Sequence, residues 1–141
     1  MIKGTWAGVR HIAVLLNLAV FLFMAPSIVW GIETFSMVAA GQVCSVAIKS
    51  NGTLWGWGDS DECYSDRGTA INRLAPAQIG TDSDWVSVAG GWNSFFAIKA
   101  DGTLWAWSNN YDGQLGDGTY EYRYTPVQID VDNDWVSVAP G

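Results

Sequence analysis

From residue 35 onward the chain carries short runs of apolar residues, five or six positions long, separated by Gly, Asn, Asp and Ser. Trp85-Val86-Ser87-Val88-Ala89 is one such run, rich in β-branched and aromatic residues and closed by Gly90-Gly91. Phe95 to Lys99 and Thr103 to Trp107 follow it and flank Asp101-Gly102, whose counterpart fifty residues earlier is Asn51-Gly52. Runs of this kind predict strands. An Asx-Gly pair between two of them predicts a hairpin, because both residue types tolerate the positive φ of a tight turn. Each unit therefore reads as strand, hairpin, loop, strand. On the second arm of the hairpin Trp55 and Trp57 share one face while Leu54 and Gly56 take the other, and Trp105, Trp107, Leu104 and Ala106 repeat the arrangement. A sheet with two dry faces has to pack between two others, as neighbouring propeller blades do.

Sliding the chain along itself by fifty residues exposes the period. The stretch from Pro76 to Ser87 lies over Pro126 to Ser137 with 8 of 12 residues identical, and Val46 to Trp57 lies over Phe96 to Trp107, again with 8 of 12. Chance would give about one match per window at ordinary composition. Periods in this range belong to blades or stacked units, none of which can bury its apolar faces alone. The expected architecture is all-β: about two four-stranded antiparallel blades, at residues 35–84 and 85–134, and the first strand of a third from 135.

Residues 1–31 follow different rules. Lys3 and Arg10 precede an apolar run from Ile12 to Met24, and no acid occurs before Glu33. A basic start, about a dozen apolar residues and small residues after them fit a secretory leader forming a hydrophobic helix. With Ile28, Val29 and Trp30 included, the stretch approaches the length of a membrane anchor with its basic end in the cytoplasm. Either way, contact with a membrane is expected through this segment only.

Composition sharpens the picture. The 141 residues are 49% hydrophobic and 15% charged, with 16 Gly, 9 Trp and only 2 Cys, which excludes collagen, coiled coil, simple disorder and a disulfide-dense miniprotein. The net charge is −7. Without Lys3 and Arg10, five of the seven basic residues remain against all 14 acids, giving −9 for the rest. Such a surface repels phosphate backbones and attracts basic protein patches, so a protein and not a nucleic acid is the expected partner.

The run Trp85-Val86-Ser87-Val88-Ala89-Gly90-Gly91, then Phe96 to Trp107, then Asn110-Tyr111-Asp112-Gly113-Gln114-Leu115-Gly116-Asp117-Gly118-Thr119 and Thr125 to Ile129 resembles the repeat of the regulator-of-chromosome-condensation family. The resemblance covers Phe35 to Gly141, and bacterial members with Trp-rich strands look most similar. The family usually carries His shortly after the first strand's closing glycine, where Cys44 and Ser94 stand here, and its Gly-Gln-Leu-Gly loop has become Cys63-Tyr64-Ser65-Asp66 in the first unit. The resemblance implies a propeller of about seven blades, of which this chain would be a slice, completed by further blades from the same gene or by self-association. It also implies use as a protein-binding scaffold, as in secreted members that clamp partner enzymes, or else nucleotide exchange on a small GTPase, as in nuclear members.

The chemistry on offer is limited. His11 is the only histidine and lies in the leader, so imidazole-based nucleophilic catalysis and His-ligated zinc are excluded for the remainder. Asp59, Asp61 and Glu62 form an acidic cluster, which leaves a carboxylate-only glycan-active enzyme as one alternative. Solvated turn acids are the plainer reading. Residues 108–119 resemble a calcium loop without its first acid or closing Glu, so a turn is expected there, with no metal and no cofactor. Cys44 and Cys63 admit a disulfide after export without requiring one. The expected partner-binding residues are Trp92, Asn93, Asn110, Tyr111 and Asp112 at the blade-end loops of the second unit, with Asp59 and Asp61 from the first. Exposure is expected of Trp92 and Tyr111 in particular, since both sit among loop-forming Gly, Asn and Asp.

Overall fold

A computed structural model describes residues 33–59 and 73–141, which lie in one compact unit, Glu33–Gly141. The leader, Asp61, Glu62 and Cys63 fall outside the described residues. Eight strands run in chain order: β1 (Phe35–Ala40), β2 (Cys44–Lys49), β3 (Leu54–Gly58), β4 (Arg73–Gln78), β5 (Trp85–Gly90), β6 (Ser94–Lys99), β7 (Leu104–Ser108) and β8 (Arg123–Gln128). They form two four-stranded antiparallel sheets of simple up-and-down order, β1 to β4 and β5 to β8. The fourth strand of each sheet carries a proline, Pro76 or Pro126, where an outer strand has no ladder bond to lose on one side.

The hairpins form where Asx-Gly predicts them, but not as two-residue turns. Four residues separate β2 from β3 and β6 from β7, and only the glycine is left-handed, with φ 78° at Gly52 and 81° at Gly102. The Asx side chain does other work. The Asn51 oxygen accepts from the backbone N–H and the hydroxyl of Thr53 at 3.2 and 2.6 Å, and Thr53 Oγ1 in turn accepts from the indole N–H of Trp55 at 2.8 Å. Asp101, Thr103 and Trp105 repeat the chain of bonds at 3.1, 2.7 and 2.9 Å. The turn thus aims the tryptophan that follows it.

The two faces of the second sheet meet different neighbours. Val46, Ile48 and Leu54 of the first sheet pack against Phe95, Ala97 and Trp107 of the second, with Trp85, Val88 and Cys44 completing one buried cluster. Phe95 and Trp107, paired in register, stack at 5.7 Å. The opposite face of the second sheet, Phe96, Ile98, Leu104 and Ala106, is covered by Leu115, Ile129 and Val138. The alternation predicted for the strands is therefore a division between two separate cores. Lys99 ties the edge of the inter-sheet core. Its ammonium lies 4.8 Å from the Trp85 ring and 4.6 Å from that of Trp105, and it pairs with Asp82 at 2.7 Å and Asp84 at 3.3 Å. Burial works against its charge, but the bonds to the two aspartates prevail and raise its pKa.

Residues 135–141 do not form the strand expected of a third unit. A ladder needs a second strand, and none of the described residues pairs with this segment. It nevertheless follows the repeat: Trp135 donates its N–H to the Gly102 carbonyl at 3.1 Å, just as Trp85 donates to Gly52 at 3.1 Å. Cys44 is disulfide-bonded.

Candidate binding cleft

All of the expected contact residues that are described lie at one end of the blades. The β1–β2 turn touches the β5–β6 turn there, through a bond from the Gln42 N–H to the Trp92 carbonyl at 2.9 Å. Asp59 and Asn109 occupy equivalent places after β3 and β7, donating their backbone N–H groups to the carbonyls of Val43 and Asn93. The β7–β8 loop then rises beside Trp92. Between them lies a cleft of about 330 Å³ lined by Trp92, Asn93, Ser94, Asn109, Tyr111, Asp112 and Gln114, with Gly141 at its margin. Trp92 is 69% exposed and Tyr111 70%, as expected of loop aromatics. The structure brings Trp92, Asn93, Tyr111 and Asp112 together. It keeps Asp59 on the neighbouring blade and outside the cleft lining, and Asp61 is not among the described residues.

Asn110 corrects the sequence reading. It is fully buried, and its amide serves its own loop: Nδ2 donates to Asp117 at 2.9 Å and to the Thr119 carbonyl at 3.0 Å, while Oδ1 accepts from the Leu115 N–H at 3.0 Å. A side chain with every polar atom engaged inward has nothing to offer a partner. Its two neighbours remain outside because this anchor turns the chain beneath them.

The loop is held by a charge that the sequence reading overlooked. The Asp117 side chain, 6% exposed, accepts from Asn110, from the Thr119 N–H and hydroxyl, and from Arg123 Nε at 2.6 Å. Burial alone would raise its pKa; the bonds from Thr119, Arg123 and Asn110 outweigh that and lower it from 3.8 to about 2. Asp117-Gly118-Thr119 is a third copy of the Asx-Gly-Thr turn, with Gly118 at φ 76°, and that recurrence was visible in the sequence. A second brace sits nearer the cleft. Gln114 accepts from the Asp112 N–H at 3.0 Å and donates to Asn109 at 2.9 Å, and the same Asn109 oxygen accepts from the Tyr111 N–H at 3.0 Å. Tyr111 and Asp112 are thus presented on a braced turn.

A carboxylate whose pKa is lower in the fold than in the open chain contributes stability above its unfolded pKa, and that contribution disappears as pH falls through the folded value. We expect the amides of Leu115 and Thr119 to lose hydrogen-exchange protection between about pH 4 and pH 2, before those of β6. In Asp117→Asn the protection should already be reduced at pH 7 and should change less across that range. Equal acid response in the wild type and the variant would remove Asp117 as the cause.

The chain repeats a Trp-rich, four-stranded unit twice. Two models of the regulator of chromosome condensation (RCC1) repeat match it, over residues 85–114 and 101–141. No curated protein sequence matches. Among solved structures, yeast RCC1 (Prp20) bound to Kap60 aligns with a TM-score of 0.61 at 18% identity, covering 70% of this chain and 25% of that one. Human WBSCR16 aligns at 0.66 and 22% identity, covering 77% and 29%. Prp20p of Saccharomyces cerevisiae, a protein with binding properties to Gsp1p and histones, aligns at 0.61 and 19%, covering 71% and 26%. At such identities the likeness is one of fold, and this chain spans between a quarter and a third of the length of these proteins. Residues 85–141 thus carry regulator of chromosome condensation (RCC1) repeats, and the two blade-like sheets share the fold of part of such a β-propeller.

Proposed function

We propose that this chain is an exported, non-catalytic scaffold that grips another protein with the loops at one end of its blades. The observation that carries this reading is the gathering of Trp92 and Tyr111, both largely in water, around one cleft with Asn93 and Asp112. Aromatic anchors beside polar groups are what protein interfaces concentrate their binding energy in. The fold supports the reading, since rigid sheets hold loops that are free to differ from unit to unit. Two of the structural neighbours lend support for a protein as the class of partner: yeast RCC1 is bound to Kap60, and Prp20p binds Gsp1p and histones. Export is supported by Lys3, Arg10 and the apolar run from Ile12 to Met24, and the disulfide at Cys44 suits an oxidising compartment.

The test is affinity capture from secreted and envelope proteins, with wild type compared against the double variant Trp92→Ala, Tyr111→Ala. Both side chains are exposed, so folding should change by no more than about 0.5 kcal/mol each. A partner retained by the wild type should be retained at least about tenfold less by the variant, the loss of a single anchor being worth about 1–2 kcal/mol or more. Equal capture by both would end the reading. Fractionation of the producing cells addresses export separately, and a full-length chain confined to the cytosol would remove that part.

A further inference from the structure

The chemistry of the cleft is one-sided. Its exposed side chains are two aromatics, Trp92 and Tyr111, the Asp112 carboxylate, and Gln114, whose amide is already engaged with the Asp112 N–H and Asn109. The Asn93 side-chain oxygen is shielded from water and lies outside what the cleft exposes. No lysine or arginine lines the cleft. The described cations are engaged elsewhere: Lys49 with Glu33, Lys99 with Asp82 and Asp84, and Arg123 with Asp117 and Glu121, while Arg73 has an interaction of its own. The acid excess of the chain is therefore not balanced at this site.

Resting on the protein-binding reading above, we propose that the cleft takes an arginine side chain presented by the partner. A guanidinium is planar and stacks on aromatic faces, carries donors on every edge and no acceptor, and pairs with a carboxylate through two parallel bonds. The stacking answers Trp92 with Tyr111, and the paired donors answer the Asp112 carboxylate. The size agrees: about 330 Å³ is at the low end for small-ligand sites, room for one side chain and not for a folded surface. The acidic field of the chain brings such a group in from a distance. Gln114 contributes by position, since its bond to the Asp112 N–H fixes the turn that carries the carboxylate.

The experiment uses the full chain and three small probes: N-acetylarginine amide, its neutral isostere N-acetylcitrulline amide, and chitotriose as a neutral glycan. Binding is read from the Trp92 indole N–H resonance, assigned by its loss in Trp92→Phe. The arginine probe should shift that resonance with saturation in the millimolar range, and the citrulline probe should bind at least tenfold more weakly. Asp112→Asn should weaken the arginine probe about tenfold and leave the citrulline probe unchanged, and raising the salt concentration should do the same. Equal binding of arginine and citrulline, no shift by the arginine probe, or preferential binding of chitotriose would each overturn the proposal. Protein capture that still depends on Trp92, with no effect of Asp112→Asn on the arginine probe, would overturn the arginine assignment alone. Capture indifferent to Trp92 and Tyr111 would overturn the reading beneath it.

Discussion

Replacing Trp107 by alanine should destabilise the protein by about 3–5 kcal/mol, the largest loss expected from any single side chain described. Trp107 is fully buried and stacks on Phe95, and both belong to the cluster that joins the two sheets. Its removal deletes contacts to both blades at once and leaves a hole that β-sheet backbones on either side cannot close by moving together. The measurement is urea unfolding followed by tryptophan emission. The midpoint should fall steeply with little change in slope, since the surface exposed on unfolding is nearly the same. Trp92→Ala removes the same side chain from a loop where it is mostly in water, and should move the midpoint little. If the two variants were equally stable, the inter-sheet core would not be what holds the blades together.

Gly52→Ala should cost about 2–4 kcal/mol, although it adds one methyl group. Two separate effects combine. Gly52 has φ 78°, which an alanine adopts only with strain, and a Cβ there would collide with the backbone carbonyl of Ser83, on the segment that leads into β5. That segment is fixed by the bond from the Trp85 N–H to the Gly52 carbonyl, so the turn and the chain entering the next blade cannot separate without losing it. Gly118→Ala separates the effects. Its φ is 76°, yet nothing lies within 4 Å of an added Cβ, so only the conformational term of about 1–2 kcal/mol remains. Thermal melts of the two variants should differ accordingly. An equal drop in both would mean that the inter-blade contact at Gly52 is slack.

How much of this was legible in the residues depends on whether the feature repeats. The hairpins, the two-faced strands and the blade-on-blade packing follow from patterns that occur twice, because alternation and Asx-Gly pairs are local causes of local structure. The division of exposed from buried loop residues is different in kind. Tyr111 and Asn110 are adjacent, both polar-edged, and composition puts them in one loop; only the bonds to Asp117, Thr119 and Leu115 decide that one faces water and the other does not. The hairpin turn shows the same limit on a smaller scale. Asn51-Gly52 marked its place, but the pair alone did not tell that the asparagine lends its oxygen to Thr53, which in turn accepts from the Trp55 indole. The clue missed was the tripeptide Asp117-Gly118-Thr119, which repeats Asn51-Gly52-Thr53 and Asp101-Gly102-Thr103, where only the Asx-Gly pairs had been read as turns.

The unlike faces of the second sheet give the stack a direction. Aliphatic side chains from Val46, Ile48 and Leu54 meet the aromatic face that holds Phe95 and Trp107, while the reverse side of that second sheet repeats the aliphatic pair Ile98 and Leu104, with Phe96 in place of Val46. A fifty-residue segment duplicated whole would arrive carrying both the plug and the socket, and would seat itself in only one orientation. Lengthening or shortening such a protein asks for no new core, while the tips of its loops stay free to diverge from copy to copy.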